Sequence, residues 1–81
     1  MLKEINDLID NHGKDLEIQE RDGRINFGLN KEHYFYTLAT TDNNRAFIVK
    51  RDKENKKVFL GGEWLLNDEL ETIMEKLKKH I

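Results

Sequence analysis

Three histidines, His12, His33 and His80, are the residues of this chain best suited to move a proton or hold a metal. They fall in different elements and none repeats at His-x-x-x-His spacing, so no zinc site is expected. Serine and cysteine are both absent. That removes the common acyl-transfer triads and leaves Thr, Lys or Tyr as rarer nucleophiles. Gly13-Lys14 has the ending of a phosphate loop, but the glycine required five positions earlier is Leu8. Asp52-Lys53-Glu54 opens like a calcium loop, yet Lys56 and Lys57 stand where ligands and a turn glycine belong, and two ammonium groups repel the ion. Neither catalysis nor a cofactor is expected, and contact chemistry is what remains.

The contact candidates are cationic and aromatic. Arg21, Arg24, Lys50, Phe35 and Phe59, with His33 beside them, are expected on one sheet face. Phenylalanines there could stack unpaired bases for about 1–3 kcal/mol each, while the cations meet phosphates or carboxylates. A second group gathers on a hairpin. Residues 45–57 hold six basic side chains, among them Lys53, Lys56 and Lys57, against Asp52 and Glu54. Such a tip could grip an acidic partner or a phosphate backbone. Each feature also has a plain structural reading: a solvated sheet face collects polar groups, and lysines keep border strands from pairing with other chains.

Positioning these groups requires elements. Leu2, Ile5, Leu8 and Ile9 recur at helical spacing, and Gly13 is expected to end that helix in a left-handed conformation. Asp22-Gly23 is the strongest hairpin signal, because a type I′ turn needs positive φ at both central positions. It sets Ile18 opposite Phe27 and Leu16 opposite Leu29. Two-residue turns at Lys31-Glu32, Asn43-Asn44 and Glu54-Asn55 extend the pattern into two rows. One row is Ile25, Leu38, Val49 and Leu60; the other is Phe27, Tyr36, Arg51 and Val58. A one-residue slip would turn a strand's apolar set outward, so the register carries the prediction.

The opposite face then shows Gln19, Asn26, Thr37, Lys50 and Phe59, flanked by Arg21, Arg24, Ala39 and Ile48 on one side and Glu17, Gly28, Phe35 and His33 on the other. Gly61-Gly62 and Trp64 could admit another backbone and anchor an interface, but the expected reading is that the glycines form a bulge or turn and that Trp64 caps the core beneath a second helix. An Asn67 or Asp68 cap starts that helix, which buries Leu70, Ile73, Met74, Leu77 and Ile81. Acids at its start and Lys76, Lys78, Lys79 and His80 at its end suit the helix dipole. The expected class is α+β: an N-terminal helix, a five-stranded antiparallel meander and a C-terminal helix, with both helices on one face.

Eighty-one residues provide for one domain, residues 1–81, and hydrophobic and charged residues each make up 37%. Net charge is only −2, and the apolar residues are periodic, which favours folding over disorder. Acids among the first residues do not fit a signal peptide, and no run approaches a membrane span; a cytoplasmic, reducing setting is expected. The leading expectation is a small non-enzymatic binding module or regulator that docks a protein partner through the sheet face and basic hairpin. Single-stranded nucleic acid is the rival partner for the same surface. A third reading gives the acidic helix face, with Glu4, Asp7, Asp10, Glu69, Glu71 and Glu75, an inhibitory role.

Overall fold

A computed structural model of the chain describes every residue except Asp42 and Asn44. Helix α1 (Leu2–His12) leads through a 3₁₀ turn (Gly13–Asp15) into strands β1 (Leu16–Arg21), β2 (Arg24–Leu29), β3 (Tyr34–Thr40), β4 (Ala46–Asp52) and β5 (Phe59–Leu65), and helix α2 (Asn67–Lys78) follows. The strands pair antiparallel in chain order. This is the α+β meander expected from the sequence.

Helix α1 buries Ile5, Leu8 and Ile9, as their spacing dictates. Gly13 does not end it as expected. Its φ of −54° and ψ of −34° are right-handed, and the chain continues into the 3₁₀ turn. The glycine serves a close approach instead, because a Cβ there would overlap the His80 imidazole. At the β1–β2 corner, Asp22 and Gly23 adopt φ of 53° and 75°, so the hairpin forms as its residues require. Ile18 faces Phe27, and Leu16 faces Leu29. The next corner, around Lys31-Glu32, also keeps the expected register, with Ile25 opposite Leu38 and Phe27 opposite Tyr36.

The third corner breaks the pattern. Thr40 pairs with Ala46, and the Thr41 N–H donates to the Arg45 carbonyl at 2.7 Å, so an odd number of residues spans the corner. The expected Asn43-Asn44 turn includes Asn44, which lies outside the described residues, but the flanking pairs settle the register. Leu38 faces Ile48 rather than Val49, and every β4 side chain is reversed relative to expectation. Ile48 is fully buried in the core, whereas Arg51 and Val49 belong to the opposite face.

Beyond the fourth corner the register shifts again. The Asp52 N–H donates to the Val58 carbonyl and the Val58 N–H to the Asn55 carbonyl, a longer connection than the expected two-residue turn. A bulge then makes Leu60 an extra residue, since Lys50 pairs with Gly61 and Arg51 with Phe59. Val58 and Leu60, expected inside, are exposed, and Leu65 takes the buried place.

One apolar cluster joins both helices to one sheet face. Ile5, Leu8 and Ile9 of α1 and Ile73 and Leu77 of α2 meet Ile25, Phe27, Tyr36, Leu38, Ala46, Ile48 and Leu65. At its centre the Phe27 and Tyr36 rings stack with centroids 5.4 Å apart. Leu70 and Met74 pack at its margin, but Ile81, expected to be buried, is exposed beyond the end of α2. The start of α2 also differs in detail. Leu66 occupies the cap position, where it has no side-chain acceptor, and Glu69 Oε1 accepts the Leu66 N–H at 2.9 Å.

Polar groups fasten the helices at their edges. Lys76 Nζ donates to Asn6 and Asp10 of α1 at 3.1 and 3.0 Å. Glu4 accepts from Lys50 Nζ at 2.8 Å and from the Tyr36 hydroxyl at 2.5 Å. Lys50 and then Tyr36 hold the Glu4 carboxyl below the usual carboxylate range. Burial, reinforced by Glu4, pushes the Tyr36 hydroxyl well above its ordinary value. A carboxyl with a depressed folded-state pKa stabilises the fold above its unfolded value, about 4.3, and that contribution disappears as pH falls through the folded value. Glu4→Gln is therefore expected to flatten the acid limb of a stability–pH curve below about pH 5 and to leave the neutral range, where neither Glu4 nor Tyr36 titrates, unchanged in slope. Parallel acid limbs for the two proteins, measured by urea midpoints, would contradict this.

Candidate functional site: the open sheet face

The face away from the helices bears two hollows and divides into a polar half and an apolar half. In the polar half, Gly28 of β2 lacks a side chain where β3 comes close; a Cβ there would lie 3.2 Å from the Phe35 Cα. Beside it Asn26 and Thr37 are cross-strand partners, and the Thr37 hydroxyl donates to Asn26 Oδ1 at 2.8 Å. That bond satisfies the oxygen within the floor, so the Asn26 amide nitrogen is the group a ligand would meet.

Around this floor runs a groove of about 520 Å³, bordered by Glu17, Gln19 and Arg24 on one side and by Phe35, Arg51, Lys53 and Lys56 on the other. Four cations thus face one carboxylate. Hydrogen bonding restricts two of them. Lys53 Nζ donates to the carbonyls of Leu29 and Asn30, which makes it a clamp on the β2–β3 loop. Arg51 Nη1 donates to the Lys56 carbonyl at 3.1 Å, and its guanidinium lies 4.5 Å from the centroid of the Phe59 ring.

The apolar half is formed by β3, β4 and β5. Ala39 and Val49 are buried although no helix covers them, because Phe47 and Trp64 stand alongside with rings edge to face at 5.6 Å. A second hollow of about 260 Å³ lies among Phe47, Val49, Gly62 and Trp64. Arg45 approaches the Trp64 ring at 5.9 Å. Trp64 is therefore not the expected cap beneath α2; it is 61% exposed on the open face.

The sequence-derived contact residues separate into three groups. Arg24, Phe35, Lys53 and Lys56 border the groove, and Phe59 adjoins it through Arg51. Arg21, His33 and Lys57 are exposed but do not border it; Arg21 sits at the hairpin corner 3.8 Å from Asp22. Lys50 is on the helix-covered face, reversed by the odd corner before β4, where it binds Glu4 and lies 4.0 Å from the Tyr34 ring centroid. Arg51 takes the place assigned to Lys50.

Sequence reasoning missed Arg51, Phe47, Val49 and Trp64 as open-face residues. The available signal was ambiguous, because Ala46-Phe47-Ile48-Val49 is an unbroken apolar run in which period two cannot choose a face. The acidic helix surface is less available than expected, with Glu4 and Asp10 engaged by Lys50 and Lys76. Among the described residues no group of three His, Cys, Asp or Glu side chains could hold a metal ion, and no helix is long and apolar enough to cross a membrane. Comparison with protein-family models, with curated proteins and with solved structures finds no match.

Proposed function

We propose that this chain is a small non-enzymatic binding module or regulator that docks an acidic segment of a protein partner across the open sheet face. The supporting observation is the groove itself, where Arg24, Arg51 and Lys56 gather beside Phe35 over a hydrogen-bonding floor. Carboxylates of the partner would meet the cations. Its apolar side chains would cover Phe47, Val49 and Trp64, which a phosphate backbone could not use. In this role Lys56 contributes from the basic hairpin, while Lys53 holds the loop that borders the groove.

Single-stranded nucleic acid is the second reading, favoured by Phe35 and Phe59 on the same face as Arg51. Arg51 already lies over one side of the Phe59 ring, so a base would have to displace it or use the other side. Titration separates the two readings. A labelled Glu-rich peptide containing one aromatic residue and a labelled oligothymidine are titrated in parallel at low and moderate salt. The proposal expects saturable peptide binding and little oligonucleotide binding. A log–log salt slope of about −0.7 per phosphate with the oligonucleotide, and no binding of the peptide, would reverse the assignment.

A further inference from the structure

The two border strands of the sheet differ in kind. β1 carries Glu17, Gln19, Glu20 and Arg21, the charged and polar residues that discourage pairing with another chain. Residues 58–66, which include β5, contain one charged residue, Glu63, and no proline. Phe59, Leu60, Trp64 and Leu66 are 64%, 52%, 61% and 69% exposed. Among the described residues β5 has no strand on its outer side, which leaves a row of backbone donors and acceptors. Against pairing it carries Glu63 and the bulge at Leu60, which confines regular pairing to residues 61–65.

We infer that β5 pairs antiparallel with β5 of a second copy of this chain, about a two-fold axis, and so joins the two sheets into one. Residues opposed in an antiparallel pair share a face, so the axis must pass through a residue rather than between two. Placing it at Glu63 would oppose two carboxylates. At Gly62 it sets Glu63 against Gly61 of the second copy, with no like charges opposed, and regular pairing ends where Trp64 meets the bulge at Leu60. β1 is a poor substitute for the second β5. Pairing β5 with β1 would put its apolar residues beside Glu17, Gln19 and Glu20 and would leave unpaired borders at both ends, a head-to-tail arrangement that does not close.

The area sets the strength. A buried aromatic side chain covers about 150–250 Å², so Phe59 and Trp64 together offer roughly 250 Å². With Leu60 and Leu66 the apolar contribution reaches roughly half of the ~800 Å² per partner typical of a stable complex. The association is accordingly reversible and concentration-dependent. It uses none of the cations of the groove, but it shares Trp64 with the surface proposed above for the protein partner.

Sedimentation equilibrium on the native chain, from about 10 µM to about 1 mM, is the test, because mass action displays a weak dimer over such a range. The mean mass is expected to rise from one chain toward two. Leu60→Lys and Trp64→Lys, at exposed positions and checked for native circular dichroism, are expected to hold it at one chain, while Glu20→Lys on β1 leaves the rise unchanged. A native chain that stays at one chain throughout, folded β5 variants that associate normally, or masses that climb past two chains would overturn the inference.

Discussion

Replacing Ile48 with alanine is expected to lower folding stability by about 2–5 kcal/mol, whereas the same change at Val49 costs about 1–1.5 kcal/mol. Ile48 is fully enclosed between the sheet and the helices, and truncation leaves a cavity that surrounding residues cannot collapse into. Val49 is nearly as inaccessible, but only neighbouring side chains on an open face enclose it, and these can relax. Lysine sharpens the contrast. At position 48 its ammonium would enter the apolar cluster without a partner, and the chain is expected not to fold stably. At position 49 the stem can lie across the sheet and carry the charge to water. Urea unfolding with a shared slope measures the two alanine variants and Val49→Lys, and circular dichroism reports the loss of the fold in Ile48→Lys. A greater loss at 49 than at 48 would mean that β4 has the opposite orientation, and the groove would lose Arg51.

Charge reversal of Arg24 and Arg51 together is expected to weaken capture of the Glu-rich peptide by about 100-fold, close to 2.7 kcal/mol. Both guanidinium groups border the groove from opposite sides, so the double change turns its field against a carboxylate. Phe35→Ala should add a smaller loss by removing the aromatic wall. Lys50→Met is the informative control. Because Lys50 faces α1 and binds Glu4, its loss is expected to reduce stability in the same acid-sensitive manner as Glu4→Gln while leaving peptide affinity within about twofold, a difference of only ~0.4 kcal/mol. A strong binding defect in folded Lys50→Met, with none in the Arg24/Arg51 variant, would place recognition on the helix side of the sheet.

Much of the architecture was legible because local signals agreed. The spacing of Ile5, Leu8 and Ile9, the run from Leu70 to Leu77 and the Asp22-Gly23 corner each specify an element from within a few residues. The alternating pattern on β2 and β3 then kept Phe27 opposite Tyr36 even through a corner with weak turn residues. Alternation fails on β4. Ala46, Phe47, Ile48 and Val49 are apolar on both faces, so either orientation satisfies the pattern and the corner's residue count decides. Half of the site followed from that count, since Arg51 exchanged places with Lys50. The Leu60 bulge hid the other half: Gly61-Gly62 announced an irregularity there, but not which residue is added or which face the rest of β5 takes.

By itself the order of amino acids determined the element types, their sequence along the chain, the first two strand pairings and the lack of Ser and Cys chemistry, all of which depend on neighbours close in the chain. Tertiary structure decided which β4 and β5 residues face the helices, that Lys50 joins Glu4 and Tyr36, and that Arg51, Phe47 and Trp64 reach the open face. The reason is parity. Side chains on a strand alternate, so one residue gained at a corner or a bulge reverses everything beyond it, and only packing against the rest of the molecule selects the reversal.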